Sequence, residues 1–196
     1  MMALKPDEMD FISNFSTLWQ VVLGAVLATG GGFAATQMER VISRRERERN
    51  SALLFGEVLA TALLIMEFAK PARERGDPYG RITMRLLRSV RNEIDIYERN
   101  RERLFDLADG NLRARIHSAM VRLSMPLDNI FETSDEIART SREGAAAAMI
   151  AELDAQRELQ FNAIVEQAAK LKAILAQLEP LARHSFEGFS EIARGA

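Results

Sequence analysis

Twenty-eight consecutive residues, Phe11 to Met38, carry no charge, and five arginines follow within eleven positions of their end. The most apolar part, Leu18 to Thr36, is nineteen residues long. A helix of that length rises about 1.5 Å per residue and reaches about 28 Å, close to the hydrocarbon thickness of a bilayer. Such a run has three destinations: a membrane, a cleaved signal or a soluble core. A cleaved signal wants a basic leader, a short apolar centre and a small-residue site. "GFAAT" at 32–36 supplies the last, but the run is long and Lys5 is outnumbered by Asp7, Glu8 and Asp10. A helix buried in a soluble protein normally shows a polar stripe, and this one shows none. The expectation is a retained transmembrane helix over residues 18–38, preceded by a short extracytoplasmic segment, 1–17.

The flanks orient that helix. Arginine and lysine resist translocation, whereas acidic residues count for little. One lysine precedes the run; Arg40, Arg44, Arg45, Arg47 and Arg49 follow it, and Trp19 stands at its outer edge, where an interfacial aromatic belongs. The short N-terminus is therefore expected outside and the large C-terminal part in the cytoplasm. Arginine outnumbers lysine twenty-two to four, which points toward a GC-rich bacterial genome and so an inner (plasma) membrane. Within the span, Gly24, Ala28, Gly31, Gly32 and Ala35 lie near one face, and small residues at that spacing let a second helix approach closely. Frequent glycine and alanine are also ordinary in such helices, and the triplet Gly30–Gly32 is a place for a kink.

The charged collar, 39–50, contains neither glycine nor proline, so nothing in it stops a helix, and its arginines suit anionic headgroups. A second apolar run, 51–70, follows. It carries Glu57 and Glu67, and a mid-helix carboxylate costs about 2.5–3.5 kcal/mol on membrane-insertion scales. Asn50, Glu57 and Thr61 share one narrow stripe, as in a helix mostly buried in a bundle. Two readings stay open here: a core helix, or a second crossing that makes a hairpin. A buried Glu57 would need a cationic partner or a raised pKa.

The remainder divides at breakers. Asp77 and Pro78 read as the N-cap and first residue of a helix running to Ala108, with Tyr79, Ile82, Leu86, Val90, Ile94, Tyr97, Leu104 and Ala108 inward and Gly110 closing it. Opposite them Arg81, Arg85, Arg88, Arg99 and Arg103 form a candidate docking face. Asp95, Glu93, Glu98 and Glu102 lie close enough to make it an ordinary solvated surface instead. A third helix is expected over Leu112–Thr140, kinked or broken at Pro126, where Ser124 would cap a restart. Its inward residues are Leu112, Ile116, Ala119, Leu123, Ile130 and Ile137. "TSRE" at 140–143 has the spacing of a capping box opening a fourth helix that lasts to Pro180. There Ile150, Leu153, Phe161, Ile164, Ala168, Leu171, Leu175 and Leu178 point inward. The fold expected is all-α: a transmembrane helix continuing into an antiparallel up-down four-helix bundle over 51–180, with a short tail, 181–196.

Chemistry is hard to find. The chain has no cysteine and two histidines, and neither His117 nor His184 has a glutamate three positions before it, as di-metal bundles require. The phosphate-binding, dinucleotide-binding, metalloprotease and serine-nucleophile motifs do not occur. Net charge is -2, so a broad nucleic-acid footprint is not indicated. Beneath it, residues 37–105 carry fifteen basic and eleven acidic residues, and residues 106–196 carry ten and fourteen. The halves are +4 and -4. No cofactor, metal, catalytic residue, nucleic acid or small-molecule substrate is expected. The expected partners are the lipid bilayer and a protein partner or second copy. The leading expectation is a non-enzymatic scaffold or adaptor, with a two-span pore-forming or transport-associated protein or effector as the alternative.

Overall fold

The computed structural model describes residues 6–144, 146–186 and 188, without the side chains of 6–18, 20, 21, 25, 26, 28, 30 and 34. Helices α1 (Pro6–Glu74), α2 (Arg81–Arg99), α3 (Gly110–Arg142) and α4 (Ala147–Ala182) are joined by short connections, with a 3-10 turn, Arg101–Asp106, after α2. No strand occurs among the described residues. The fold is all-α, with one long apolar helix at the N-terminus. The chain divides into two units, Met1–Glu46 and Arg47–Ala196. The segments expected before residue 6 and beyond 188 lie outside the described residues.

In the second unit, cross-helix contacts pair neighbours whose numbers run in opposite directions. Phe55 of α1 meets Tyr97 of α2 edge-on at 5.9 Å, and Ser51 donates to Asp106 at 3.1 Å. Between α2 and α3, Arg91 donates to Ser124 at 2.6 Å and Tyr97 lies 2.8 Å from His117. Arg157 of α4 donates to Ser134 of α3 at 3.2 Å. The ring closes where Lys172 of α4 pairs with Glu67 of α1 at 3.3 Å and Arg49 donates to the Ala182 carbonyl, also at 3.3 Å. These pairings are of the kind an antiparallel up-down arrangement gives. Its core is one cluster, from Ala52, Phe55, Leu59 and Met66 through Leu87, Ile94, Leu123 and Ile130 to Ile164, Leu171 and Leu178.

Helix ends differ from the expected ones, each for a local reason. The Asp77 carboxylate accepts from the Tyr79 N–H and its carbonyl from the Gly80 N–H, both at 3.0 Å. This turn uses the acceptor that a helix N-cap at Asp77 would need, so α2 starts at Arg81 with Gly80 as its cap. Thr83 and Leu87 are the fully buried residues of its first turns, Leu86 packs partly buried against the core and Ile82 is 71% exposed, because a strict four-residue step drifts about 40° per step around a helix. Gly110 does not close α2. It opens α3, where Asp109 caps the N–H of Asn111. Pro126 does not break α3: Leu123, Leu127 and Ile130 around it are fully buried, and this packing outweighs the lost hydrogen bond. Ser124, free of a capping duty, donates to Asp128 at 3.2 Å.

The capping box does not form. Thr140 Oγ1 donates back to the Glu136 carbonyl inside α3, Gly144 turns the chain at φ 74°, and α4 opens at Ala147 without a side-chain cap. Helix α4 also runs past Pro180 to Ala182. Arg183 then takes a left-handed conformation, φ 52°, which reverses the chain. The Glu179 carboxylate accepts from the Phe186 N–H at 2.8 Å, and the Phe186 ring, 4% exposed, lies on Gly56 of α1. A Cβ on Gly56 would stand 1.9 Å from Phe186 Cζ.

Gly56→Ala is therefore expected to destabilise the protein by about 2 kcal/mol despite alanine's advantage of about 1 kcal/mol in a helix, because overpacking outweighs propensity. Phe186→Ala should cost about 3 kcal/mol. In a double-mutant cycle read by urea denaturation, Gly56→Ala should become neutral or stabilising once Phe186 is removed. Additive effects would show that the ring does not seat there.

Candidate membrane-facing and docking surfaces

Helix α1 contains a stretch, Gly31–Glu74, long and apolar enough by length and composition to cross a membrane, with half of its most apolar window buried. Its two apolar runs have opposite surroundings. In the first, Trp19, Val22, Leu23, Leu27, Phe33 and Met38 are all exposed, Trp19 at 57% and Phe33 at 67%. Positions where Gly24, Gly31 and Gly32 would carry a Cβ have nothing within 4 Å. Ala35 is exposed too, and the Ala28 side chain lies outside the described residues. Thr36 donates to the Gly32 carbonyl at 2.9 Å, so its hydroxyl is satisfied within the helix, as an apolar medium demands.

The second run is covered by protein. Ala52, Phe55, Leu59, Ala62, Met66 and Ala69 are at most 2% exposed. Glu57 and Asn50 are exposed and Thr61 is half-buried, so the stripe read from the sequence does face outward. Glu57 thus needs no cationic partner, and Glu67 finds one in Lys172.

The collar arginines Arg40, Arg44, Arg45 and Arg47 are exposed, and among the described residues none of them has an ion pair. Arg49 and Glu48 are tied into the second unit instead: Glu48 accepts from the Ala108 N–H at 2.9 Å. Arg81, Arg85, Arg88, Arg99 and Arg103 are also exposed and lack carboxylate partners among the described residues. Of the acids near this face, Arg91 takes Asp95 and Glu98, and Glu102 is exposed without an ion pair among the described residues. The Arg91 guanidinium is 3.6 Å from Asp95, 3.7 Å from Glu98 and 3.3 Å from Asp128. Glu93 is half-buried without an ion pair, and burial raises its pKa.

Sequence reading passed over a cluster joining the α1–α2 connection to α4. The Arg73 guanidinium pairs with Glu158 and lies 4.4 Å from the centre of Phe161 and 5.2 Å from that of Tyr79. Arg157 sits 3.8 Å above the same tyrosine ring, and Tyr79 donates to the Arg157 carbonyl at 3.1 Å. Burial raises the Tyr79 pKa and outweighs the two guanidiniums, which lower it. The partners are about eighty residues apart, and no motif announces them.

Neither histidine belongs to an acidic or metal-binding group. His117 lies between Tyr97, whose pKa burial raises, and Arg101, 3.4 Å from Nε2. His184 is exposed beside the Phe186 ring. Among the described residues, no three His, Asp or Glu side chains gather as a metal site would require.

Tyr79→Phe should cost about 1 kcal/mol for the lost hydrogen bond, and Tyr79→Ala two to three times that, since both guanidiniums lose their apolar platform. Chemical denaturation measures both. For Glu93, a folded-state pKa raised above the unfolded value gives a stability contribution present at low pH and lost as pH rises through the folded pKa. Glu93→Gln should accordingly raise Tm at neutral pH, a gain that disappears once the pH falls below the range in which a free glutamate titrates, about pH 4; a gain independent of pH would contradict this origin. Compared with protein-family models, with curated proteins and with solved structures, the chain matches none.

Proposed function

We propose that the protein is a membrane-anchored scaffold or adaptor without catalytic activity, whose residues 18–38 cross a bacterial inner membrane and hold a helical bundle on the cytoplasmic side. One observation carries this reading. Of two apolar runs in the same helix, the second is buried in the hydrophobic core, while every described side chain of the first is exposed. An apolar helical surface of that length facing water is costly at about 25 cal/mol per Å², and lipid removes the cost. The arginine asymmetry across residues 18–38 gives the orientation.

The adaptor role follows from the outer surface of α2. A row of arginines without carboxylate partners among the described residues favours an acidic partner, and its exposure leaves the bundle core intact when the partner leaves. Self-association through Gly24, Ala28, Gly31, Gly32 and Ala35 belongs to the same reading, since Gly24, Gly31 and Gly32 leave open space on the helix surface. A two-span pore is disfavoured by the burial of Phe55, Leu59 and Met66, which would have to exchange protein neighbours for lipid.

Topology tests the anchor directly. Phosphatase and fluorescent-protein reporters fused after Gly76 should report the cytoplasm. Because the chain has no cysteine, Glu57→Cys gives a single thiol, which a membrane-impermeant maleimide should label only after the membrane is opened from the cytoplasmic side. A periplasmic signal at Gly76 would make residues 51–70 a second crossing and overturn the single-span reading.

A further inference from the structure

The 3-10 turn between α2 and α3 presents the most exposed large apolar side chain among the described residues, Phe105, at 81%. It is held out by its neighbours. Leu104 and Leu107 are buried on either side of it, so the turn is anchored from below and the ring cannot collapse inward. The Arg113 guanidinium lies 6.0 Å from the ring centre, and Arg113 also donates to the Leu107 carbonyl at 2.8 Å.

The turn carries a modest excess of arginine, and Glu48 of α1 adds a further acid at the Ala108 N–H. Residues 99–115 include five arginines, Arg99, Arg101, Arg103, Arg113 and Arg115, against Glu102, Asp106 and Asp109. Two of those acids are occupied: Asp106 accepts from Ser51, and Asp109 caps α3. The turn also belongs to the end of the bundle at which α1 enters, because Ser51 and Glu48 of α1 bond to Asp106 and to the Ala108 N–H.

We propose that this turn is a second membrane contact, in which Phe105 enters the interfacial layer of an anionic bilayer and the arginines around it engage lipid phosphates. The proposal rests on the anchored reading above. Arg47 follows Met38 by nine residues, which span at most about 30 Å even when fully extended. That tether keeps the turn at high effective concentration beside the bilayer whatever the angle between the two units. An exposed aromatic ring beside the Arg113 guanidinium, on an arginine-rich turn, matches the interface, where the ring leaves water and each guanidinium gains about fivefold in partitioning to an anionic surface. A protein pocket for Phe105 would equally bury it, and the test separates the two.

The chain has one tryptophan, so Trp19→Phe with Phe105→Trp places a single reporter on the turn. The full chain carrying both changes is assembled as one copy per nanodisc, in phosphatidylcholine alone or with about 30% phosphatidylglycerol, with bromine in the acyl chains. Expected is blue-shifted emission and strong quenching at position 105 in the anionic discs, with little in the neutral ones. Arg101→Glu with Arg103→Glu should return the signal to the neutral-disc level while the chain stays in the disc. Absent or equal quenching in both lipids, with the chain still incorporated, overturns this contact and leaves the anchor standing. A shift that appears only when free copies are added assigns Phe105 to a protein pocket and overturns it too. Failure to incorporate at all overturns the anchor, and this contact with it.

Discussion

Everything in the fold depends on how the two apolar runs of α1 are covered. A helix that is apolar on all sides has to be surrounded, and three neighbours in a bundle can do this for one run. Ala52, Phe55, Leu59 and Met66 are sealed in the hydrophobic core, whereas every described side chain of the run that precedes them is exposed. Glu57 faces outward and Glu67 reaches Lys172, so the carboxylates that made a second crossing expensive cost little where they are. The glycines at 24, 31 and 32 are open while Gly56 is filled by Phe186, a contrast that follows the same division.

Legibility in the sequence tracked the range of the interactions involved. Helical periodicity depends on neighbours three and four residues apart, so the inward faces of α3 and α4 could be read, including Leu112, Ile116, Leu123, Phe161, Ile164 and Leu171. The boundaries could not, because cap residues have competing uses. Asp77 served a turn, Thr140 bonded back to its own helix and Gly110 opened a helix instead of closing one. Along α2 a strict four-residue step drifts around the helix, so the fully buried positions are Thr83 and Leu87, with Ile82 exposed and Leu86 packed at the edge of the core. Pro126 was over-read for the opposite reason: a local penalty lost to long-range packing. Gly144, at φ 74°, was the usable sign of the α3–α4 turn.

Polar pairing was the least legible layer. Counting charges along α2 suggests that Asp95 and Glu98 screen the arginines beside them, yet Arg91 gathers both, together with Asp128 from the next helix. Spacing along one helix does not reveal which cation an acid will choose when a neighbouring helix offers a better-placed acceptor to the same guanidinium. The consequence is a surface more basic than its composition implies. Arg73, Tyr79 and Arg157 make the same point from the interior side, since three residues from distant segments stack only after the bundle has formed.

The reversal at Arg183 that lays Phe186 on Gly56 also bears on the order of assembly. Contacts within α2–α3 and α3–α4 join segments adjacent in the chain, so those hairpins form with short loop closures. Arg49 and Ala182 are separated by 133 positions, and Phe186 on Gly56 closes a loop of similar size. Closing that seam costs more chain entropy than closing either hairpin, so it is the contact expected to form last. A contact absent from the folding transition state governs how fast a bundle opens far more than how fast it forms. On that ordering, the lifetime of the fold would be set at the seam between α1 and the end of α4, where one aromatic ring rests on a helix position that has no side chain.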